Sequence, residues 1–453
     1  MERKALTVLR NWWNLTPSLR KPLVIRGARQ TGKSYLVRDF CARKGLSCLE
    51  INFEKEPSLR RLFVEGPNSK TVTLLEAHFQ KTLKSQAVLF LDEIQAAPEV
   101  FSRLRYFFED NSEIPVIAAG SLLEFTLAEM EYSVPVGRIE YLYLGPMDFE
   151  EYLRGIEENS MLELIRNWQP RDPKTDIPEV FHERLLSHVR DFSIVGGMPE
   201  AVHRFASSRD FLGCESVHRS ILETYRSDFG KFRKRIPLER LERIFDAIPL
   251  QVGKKWVHAR INPHEKALAL ETALEALCKA KVAHPIFHSS GNGVPLAAER
   301  KDNLYKVIFM DVGLMGIQLG LRITDLIEPE KLTRVNEGAV AEQWIGQQLL
   351  NLRSPSETPS LYYWVREKSG SMAEVDYLIQ YGTHVFPIEI KAGLSSKSKS
   401  LQVFLSEKKN SPFGIHFSLN PISTTQLNSK LKLLELPFYL VGQLPRILES
   451  LHR

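Results

Sequence analysis

Residues 22–34 read Pro22-Leu23-Val24-Ile25-Arg26-Gly27-Ala28-Arg29-Gln30-Thr31-Gly32-Lys33-Ser34. The apolar run Leu23–Ile25 closes on Gly27, and Gly32, Lys33 and Ser34 follow at the G-x-x-x-x-G-K-S/T spacing of a phosphate-binding loop set between a strand and a helix. Gly27 and Gly32 permit backbone angles that turn successive amides inward around phosphate oxygens, with Ala28, Arg29, Gln30 and Thr31 completing the cradle. Lys33 reaches the outer phosphates and the Ser34 hydroxyl is a ligand for Mg²⁺. The helix expected over Tyr35–Lys44 aims its positive end at the anion. Arg29, inside the loop, is expected to face solvent.

Ala87-Val88-Leu89-Phe90-Leu91-Asp92-Glu93 supplies the complement. A run apolar on both faces suits a buried parallel strand, and ligands bind beyond the carboxyl ends of such strands. There Asp92 would hold Mg²⁺ opposite Ser34, and Glu93 would polarise the water that attacks a γ-phosphate. The two stretches together predict ATP binding and Mg²⁺-dependent hydrolysis.

Strand-like runs recur at Leu23–Ile25, Cys48–Asn52, Val88–Leu91, Val116–Ala119 and Glu140–Leu144, separated by helical patterns. This is an α/β arrangement, a parallel sheet with helices on both faces. Ser121 follows the fourth run, where it either contacts the γ-phosphate or caps the next helix, Glu124 standing three residues on as in a capping box. Arg138 precedes the fifth run. It reads either as a finger for transition-state charge, in its own subunit or a neighbour's, or as a solvated arginine.

With 453 residues the chain exceeds one ordinary core, so two or three domains are expected. Hydrophobic residues make up 43% and charged residues 25%, the balance of a globular protein. A net charge of +5 permits nucleic-acid binding without requiring it. The start lacks a signal-peptide core and no apolar run has membrane-spanning length, which excludes a membrane partner and points to the cytoplasm. Cys41, Cys48, Cys214 and Cys278 are scattered without a C-x-x-C pair, which favours reduced thiols over structural zinc.

Residues 1–21 predict an amphipathic helix with Trp12 and Trp13. Residues 155–180 read as a surface connection and 181–235 as helical, broken by the turn Gly196-Gly197-Met198-Pro199. From 238 to 310 the order is helix (Leu238–Gln251), helix (Pro263–Ala280), then strands Val282–Phe287 and Tyr305–Met310. That is the order of a winged helix, with Lys254, Lys255, His258 and Arg260 as phosphate contacts for double-stranded DNA. A helical packing module or a protein-docking module fits equally well.

The stretch Glu374–Lys391 holds a second constellation. Gly382-Thr383 suits a type II′ hairpin turn, which sets Asp376 opposite Glu389 and Lys391 on the same face, opposite Glu374. Facing carboxylates repel unless a cation or proton lies between them. Asp376 and Glu389 are therefore candidate Mg²⁺ ligands with Lys391 activating water, a pattern that resembles the D…(D/E)-x-K core of restriction-endonuclease-like folds, which implies Glu342, on a helix over Glu337–Leu350, as the additional acid. A metal-free charge network is the other reading. Gly393–Ser400 reads as a polar loop, and closing strands are expected at Pro412–Phe417 and Phe438–Val441 before a last helix, Pro445–His452.

Gly27–Ser34, Leu91-Asp92-Glu93-Ile94-Gln95, Ala119–Ser121 and Gly137-Arg138 resemble the AAA+-type ATPases of bacteria and archaea, within them the group fused to a large C-terminal domain of unknown function. Val195–Val202, Thr224–Asp228, Asp311–Leu314 and Asn336–Glu342 carry the resemblance through the chain. The hairpin is similar to the D…(D/E)-x-K core of the restriction-endonuclease-like fold, which the resemblance implies for the C-terminal domain. The expected domains are thus an ATPase domain (1–154), a helical connection (155–235), a winged-helix-like domain (236–330) and a nuclease-like domain (331–453). The expected function is an ATPase coupled to DNA binding, the alternative a nucleotide-dependent switch that binds a DNA or protein partner without cutting. The oligomeric state is not legible.

Overall fold

The computed structural model describes residues 1–452 other than 65, 67, 84–85, 122–134, 136, 171, 231–235, 322–336, 367–372, 393–398 and 429–430. The first domain is built on β1 (Leu23–Arg26), β2 (Ser47–Asn52), β3 (Ala87–Asp92), β4 (Val116–Gly120) and β5 (Glu140–Tyr143). They form a parallel sheet of order β2-β3-β4-β1-β5. Its central strands β1, β3 and β4 bury both faces, as their continuous apolar runs require, while the edge strands β2 and β5 are partly exposed. Val24, Leu89 and Leu91 pack under α3 (Arg61–Val64), α4 (Asn68–Phe79) and α5 (Pro98–Asp110). Ile25, Val88 and Phe90 pack against α1 (Ala5–Trp13) and α2 (Lys33–Lys44) on the other side. Helix α2 starts at Gly32 and stops at Gly45, both left-handed, and the Leu46 N–H closes its end on the Cys41 carbonyl.

Seven α-helices follow among the described residues: α6 (Phe149–Gly155), α7 (Asn159–Asn167), α8 (Glu179–Val195), α9 (Pro199–Ser208), α10 (Phe211–Phe229), α11 (Leu238–Gln251) and α12 (Ala267–Lys279). The segment expected as a surface connection contains α7, and Met161, Leu162, Ile165 and Trp168 are buried. Its flanking prolines and short length concealed an amphipathic helix.

An eight-stranded mixed sheet forms the rest. It contains β6 (Ala283–Ser289), β7 (Arg300–Phe309), β8 (Leu361–Val365), β9 (Glu374–Tyr381), β10 (His384–Ile390), β11 (Gly414–Ser418), β12 (Ser423–Asn428) and β13 (Leu431–Pro437), in the order β12-β13-β11-β10-β9-β8-β6-β7. The two strands expected as a free wing instead end this sheet, with β6 pairing β8 in parallel, Phe287 beside Tyr362. Ile286, Val307 and Phe309 belong to its core, and burying them requires the sheet that a free wing lacks. Helices α13 (Val312–Gln318), α14 (Glu337–Leu350), α15 (Lys399–Glu407) and α16 (Leu444–His452) complete the domain. The expected strand at Phe438–Val441 is a 3₁₀ helix, Phe438–Gln443. A short run buried on all sides carries no period to separate the two. Strands β12 and β13 and helix α15, which begins at exposed Lys399, were not anticipated; Lys397 lies outside the described residues.

One core runs from Ala28 through Phe149, Phe192 and Trp344 to Leu448, so the helices and the second sheet pack as one body against the first domain. Gly196 and Gly197 make the turn where these parts meet. The Gly197 carbonyl accepts from the Met147 N–H at 2.6 Å, and its N–H donates to Asp311 Oδ2 at 2.6 Å. Asp311 also caps α13 through the N–H groups of Gly313 and Leu314 and accepts from Gln347 of α14.

Candidate functional site

The loop 27–34 leaves β1 at the carboxyl edge of the first sheet, with β3 ending nearby. Gly27 has φ +155°, and a Cβ there would lie 2.1 Å from the Leu144 carbonyl oxygen, so only glycine fits. Gly32 has φ +87° and opens α2, and the Thr31 hydroxyl donates to the Ala28 carbonyl at 3.0 Å. Lys33 is buried, and its Nζ donates to the carbonyls of Gly27 (3.1 Å) and Ala28 (2.7 Å). Burial pulls its pKa down to about 8, against the upward pull of Glu93 and Asp92. The lysine thus braces the loop with its charge aimed into the cradle.

Ser34 Oγ donates to Asp92 Oδ2 at 2.9 Å, and Asn52 Nδ2 donates to the same oxygen at 3.1 Å. Asp92 is 4% exposed, and burial raises its pKa against the Ser34 bond. A hydroxyl and a carboxylate in contact, with lysine beyond them, form a hard-oxygen donor set that fits Mg²⁺. Glu93 comes next, with φ +51°, its carboxylate held by Gln95 Nε2. A non-glycine residue in this strained region at a strand end is a mark of a functional position.

Ser121 directly follows β4, is buried, and its Oγ meets no hydrogen-bond partner among the described residues. Glu124, its proposed capping partner, lies outside those residues. Arg138 does not join the site of its own chain. Leu23 pairs with Glu140, so Arg138 lies at the amino edge of the sheet, where its Nε bonds Glu109 at 2.8 Å.

Arg29 does not face solvent as expected. Its Nε lies 2.5 Å from Asp228 of α10, a guanidinium nitrogen lies 3.6 Å from Glu54, and its carbonyl accepts from the Tyr225 hydroxyl at 2.9 Å. Tyr225 and Asp228 belong to the Thr224–Asp228 motif that carried the resemblance without a role. They and Asn52 were missed, because nothing local in the sequence ties them to the loop, while Gln95 stood in the Leu91–Gln95 motif without a role.

At the second constellation Ile388 pairs with Tyr377, which puts Asp376 opposite Glu389. Asp376 Oδ2 accepts from the Ile390 N–H at 2.8 Å, and Lys391 lies 2.7 Å from Glu389 rather than against Glu374. Glu374 and Glu342 instead both bind Lys306, a fully buried residue of β7, at 3.1 Å for Glu342. Burial works against the Lys306 charge, but Glu342, Asp376 and Glu374 outweigh it and raise its pKa. Burial pushes Glu342 up to about 7, more than Lys306 pulls it down. The cation among these acids is therefore a lysine. Among the described residues no three His, Cys, Asp or Glu side chains converge as a metal site. His416 of β11, not anticipated, pairs with Glu389 on one side and Glu435 on the other and is fully buried.

A family model described as an AAA domain matches residues 19–153. Those residues match an AAA domain and carry the five-stranded parallel α/β sheet and phosphate loop of a P-loop fold. Two further models, both described as domains of unknown function (DUF8612 and DUF4143), match residues 186–325 and 337–439. No curated protein matches the chain. Among solved structures, a Walker-type ATPase of Pyrococcus abyssi is similar at 18% identity over 70% of this chain and 95% of that one, with a TM-score of 0.42. An ORC2 protein of Aeropyrum pernix, in ADPNP–ADP complexes, matches at 14% identity over 70% and 92%, TM-score 0.34. The C. elegans protein PCH-2 matches at 11% over 46% and 63%, TM-score 0.27.

Proposed function

We propose that this protein binds and hydrolyses ATP with Mg²⁺, and that its nucleotide state controls a C-terminal domain that engages a DNA or protein partner without cleaving it. The contact of Ser34 with Asp92 at the mouth of the phosphate loop carries the first half. Ser34 and Asp92 would hold the metal, which when bound offsets phosphate charge. Lys33 is drawn from its loop carbonyls to the phosphates, and Glu93, once free of Gln95, takes the proton from the attacking water. Lys33→Ala is expected to weaken ATP binding by about 10- to 100-fold, the worth of a charge-assisted contact. Glu93→Gln is expected to keep binding and slow hydrolysis by about 10²- to 10⁴-fold. Hydrolysis at the wild-type rate in Glu93→Gln would remove Glu93 as the base.

Lys306 supports the second half, since it neutralises the acids that a nuclease would keep for a metal. The cleaving alternative, with Asp376, Glu389 and Lys391 as its centre on a restriction-endonuclease-like fold, rests on the hairpin register. Mg²⁺-dependent cutting of double-stranded DNA that disappears in Asp376→Asn would establish it. Exposed Lys254 and Lys255 support a DNA partner; an affinity that falls steeply with salt, less steeply in the double alanine variant, distinguishes DNA from protein. We place the protein in the cytoplasm, where four unpaired cysteines are stable. No helix among the described residues is long and apolar enough to cross a membrane.

A further inference from the structure

We propose that Arg29 is the residue that distinguishes ATP from ADP, and that Asp228 and Tyr225 of α10 are the positioning residues that hold it ready. The inference rests on ATP binding at the phosphate loop. Three contacts define the arrangement. The Arg29 guanidinium is pinned at 2.5 Å to Asp228, its backbone carbonyl is tied to Tyr225, and Glu54 stands on its other side. Arg29 is only 19% exposed, so it is an inward residue of the loop and not a surface arginine.

Its surroundings say what it is for. Arg29, Ser121, Tyr225 and Asp228 form the polar side of one small cavity between the first sheet and the helices, whose other walls are apolar, Phe229 and Leu241 among them. Ser121 is 95% buried there and leaves its hydroxyl unpartnered among the described residues, an uncommon state for a buried polar atom. The Arg29 charge is also felt at Lys33, so the two cations share one neighbourhood. A phosphate oxygen that reached Arg29 from the loop would offset the charge of the two cations and give the Ser121 hydroxyl a partner. The loop amides and Lys33 suffice for the inner phosphates, which both nucleotides carry. The terminal phosphate is the anion that only ATP brings. Its oxygens compete with Asp228 for the same guanidinium. Because Tyr225 holds the Arg29 carbonyl, a shift of that side chain is transmitted to α10 and so to the helices.

The arginine thereby takes the part expected of Arg138, which lies at the far edge of the sheet. Substitutions at Arg29 and Asp228 are expected to move in opposite directions, which a scaffold role would not produce. Arg29→Ala should lower ATP affinity by about 10-fold or more while ADP affinity changes little, since one charge-assisted contact is lost. Arg29→Lys, which keeps charge without the planar fork, should recover part of it. Asp228→Asn, nearly isosteric, should raise ATP affinity several-fold by removing the competitor, with ADP again little changed.

The experiment is calorimetric titration of full-length wild type and these three variants with ATP and with ADP, together with hydrogen exchange across residues 211–229. The expected result is an ATP-to-ADP affinity ratio that falls in Arg29→Ala and rises in Asp228→Asn, with exchange in α10 that differs between the ATP and ADP states of the wild type. A wild type that binds both nucleotides, with ratios unchanged in the variants or with Asp228→Asn weakening both alike, overturns this inference alone. A wild type that binds neither nucleotide overturns the ATPase reading and this inference with it.

Discussion

Lys306 is a fully buried lysine in a strand that otherwise supplies apolar residues to the core. It survives there because Glu342 and Glu374 bind it and the Tyr363 ring lies 5.2 Å from its ammonium. Removing one partner of a buried ion pair costs more than never having built it, since the charge left behind has no solvent. Lys306→Met is therefore expected to destabilise the protein by about 3–5 kcal/mol at neutral pH, read from urea unfolding. Adding Glu342→Gln should recover part of that loss, because the stranded charge goes with it. The pH dependence has a definite sign. The folded-state pKa of Glu342 is raised from 4.5 to about 7, so its contribution is complete below 4.5 and is lost as pH rises through 7. Without the lysine that pKa rises further, and the deficit of Lys306→Met should be smallest near pH 5 and grow toward pH 8. A deficit independent of pH would mean that Glu342 is not the acid left exposed to the loss.

Among the elements, the turn between α8 and α9 has little freedom. A Cβ on Gly197 would sit 2.1 Å from the Met147 carbonyl oxygen, and one on Gly196 would sit 2.1 Å from Asp311 Oδ1 with φ at +64°. The first obstacle is backbone of a residue whose N–H donates to the Gly197 carbonyl, and Met147 cannot withdraw without breaking that bond. Gly197→Ala is expected to cost more than ~4 kcal/mol, in the range reserved for named structural faults, and Gly196→Ala somewhat less because a side chain can move. Thermal unfolding of the two variants checks the order; equal melting points would contradict it. The sequence showed that a turn stood here, from two glycines before a proline, but not that Asp311 of another segment would fill it. The same divide runs through the molecule. Strands β1 to β5 were legible within a residue, β1, β3 and β4 because both faces are buried and the runs are uninterrupted. The Asp376–Glu389 register was legible because Gly382-Thr383 fixes it locally. What was not legible depends on distant chain. Strand β12 reads Ser423-Thr-Thr-Gln-Leu-Asn428 and has no apolar period. Lys306 looks like any lysine until Glu342 and Glu374 are placed around it, and Arg29 looks solvated until α10 arrives.

At the scale of the whole molecule, the helices and the second sheet are joined by more than contact. The Phe149 N–H donates to Gln348 of α14 at 2.8 Å, Trp344 packs against Phe149 and Phe192, and His182 bonds the Tyr439 hydroxyl at 2.8 Å. Strand β6 supplies the neighbour of β8, and β7 supplies Lys306. A fragment of residues 337–453 retains the stretch that reads as nuclease-like but loses all of these. Its strand β8, Leu361–Val365, would become an edge with unpaired backbone groups and buried-type side chains, a template for aggregation. Glu342, Glu374 and Asp376 would lose their lysine at the same time. A fragment of residues 145–453 keeps the sheet complete and its core closed, giving up only its contacts with the first domain, among them Arg3 with Glu151 and Lys4 with Asp148. The longer fragment is expected to be soluble and to unfold in one cooperative transition, and the shorter one to aggregate or lack a transition, by gel filtration and circular dichroism. A monomeric 337–453 with a sharp melt would show that the second sheet closes at β8, and that β6 and β7 are an attachment rather than part of the fold.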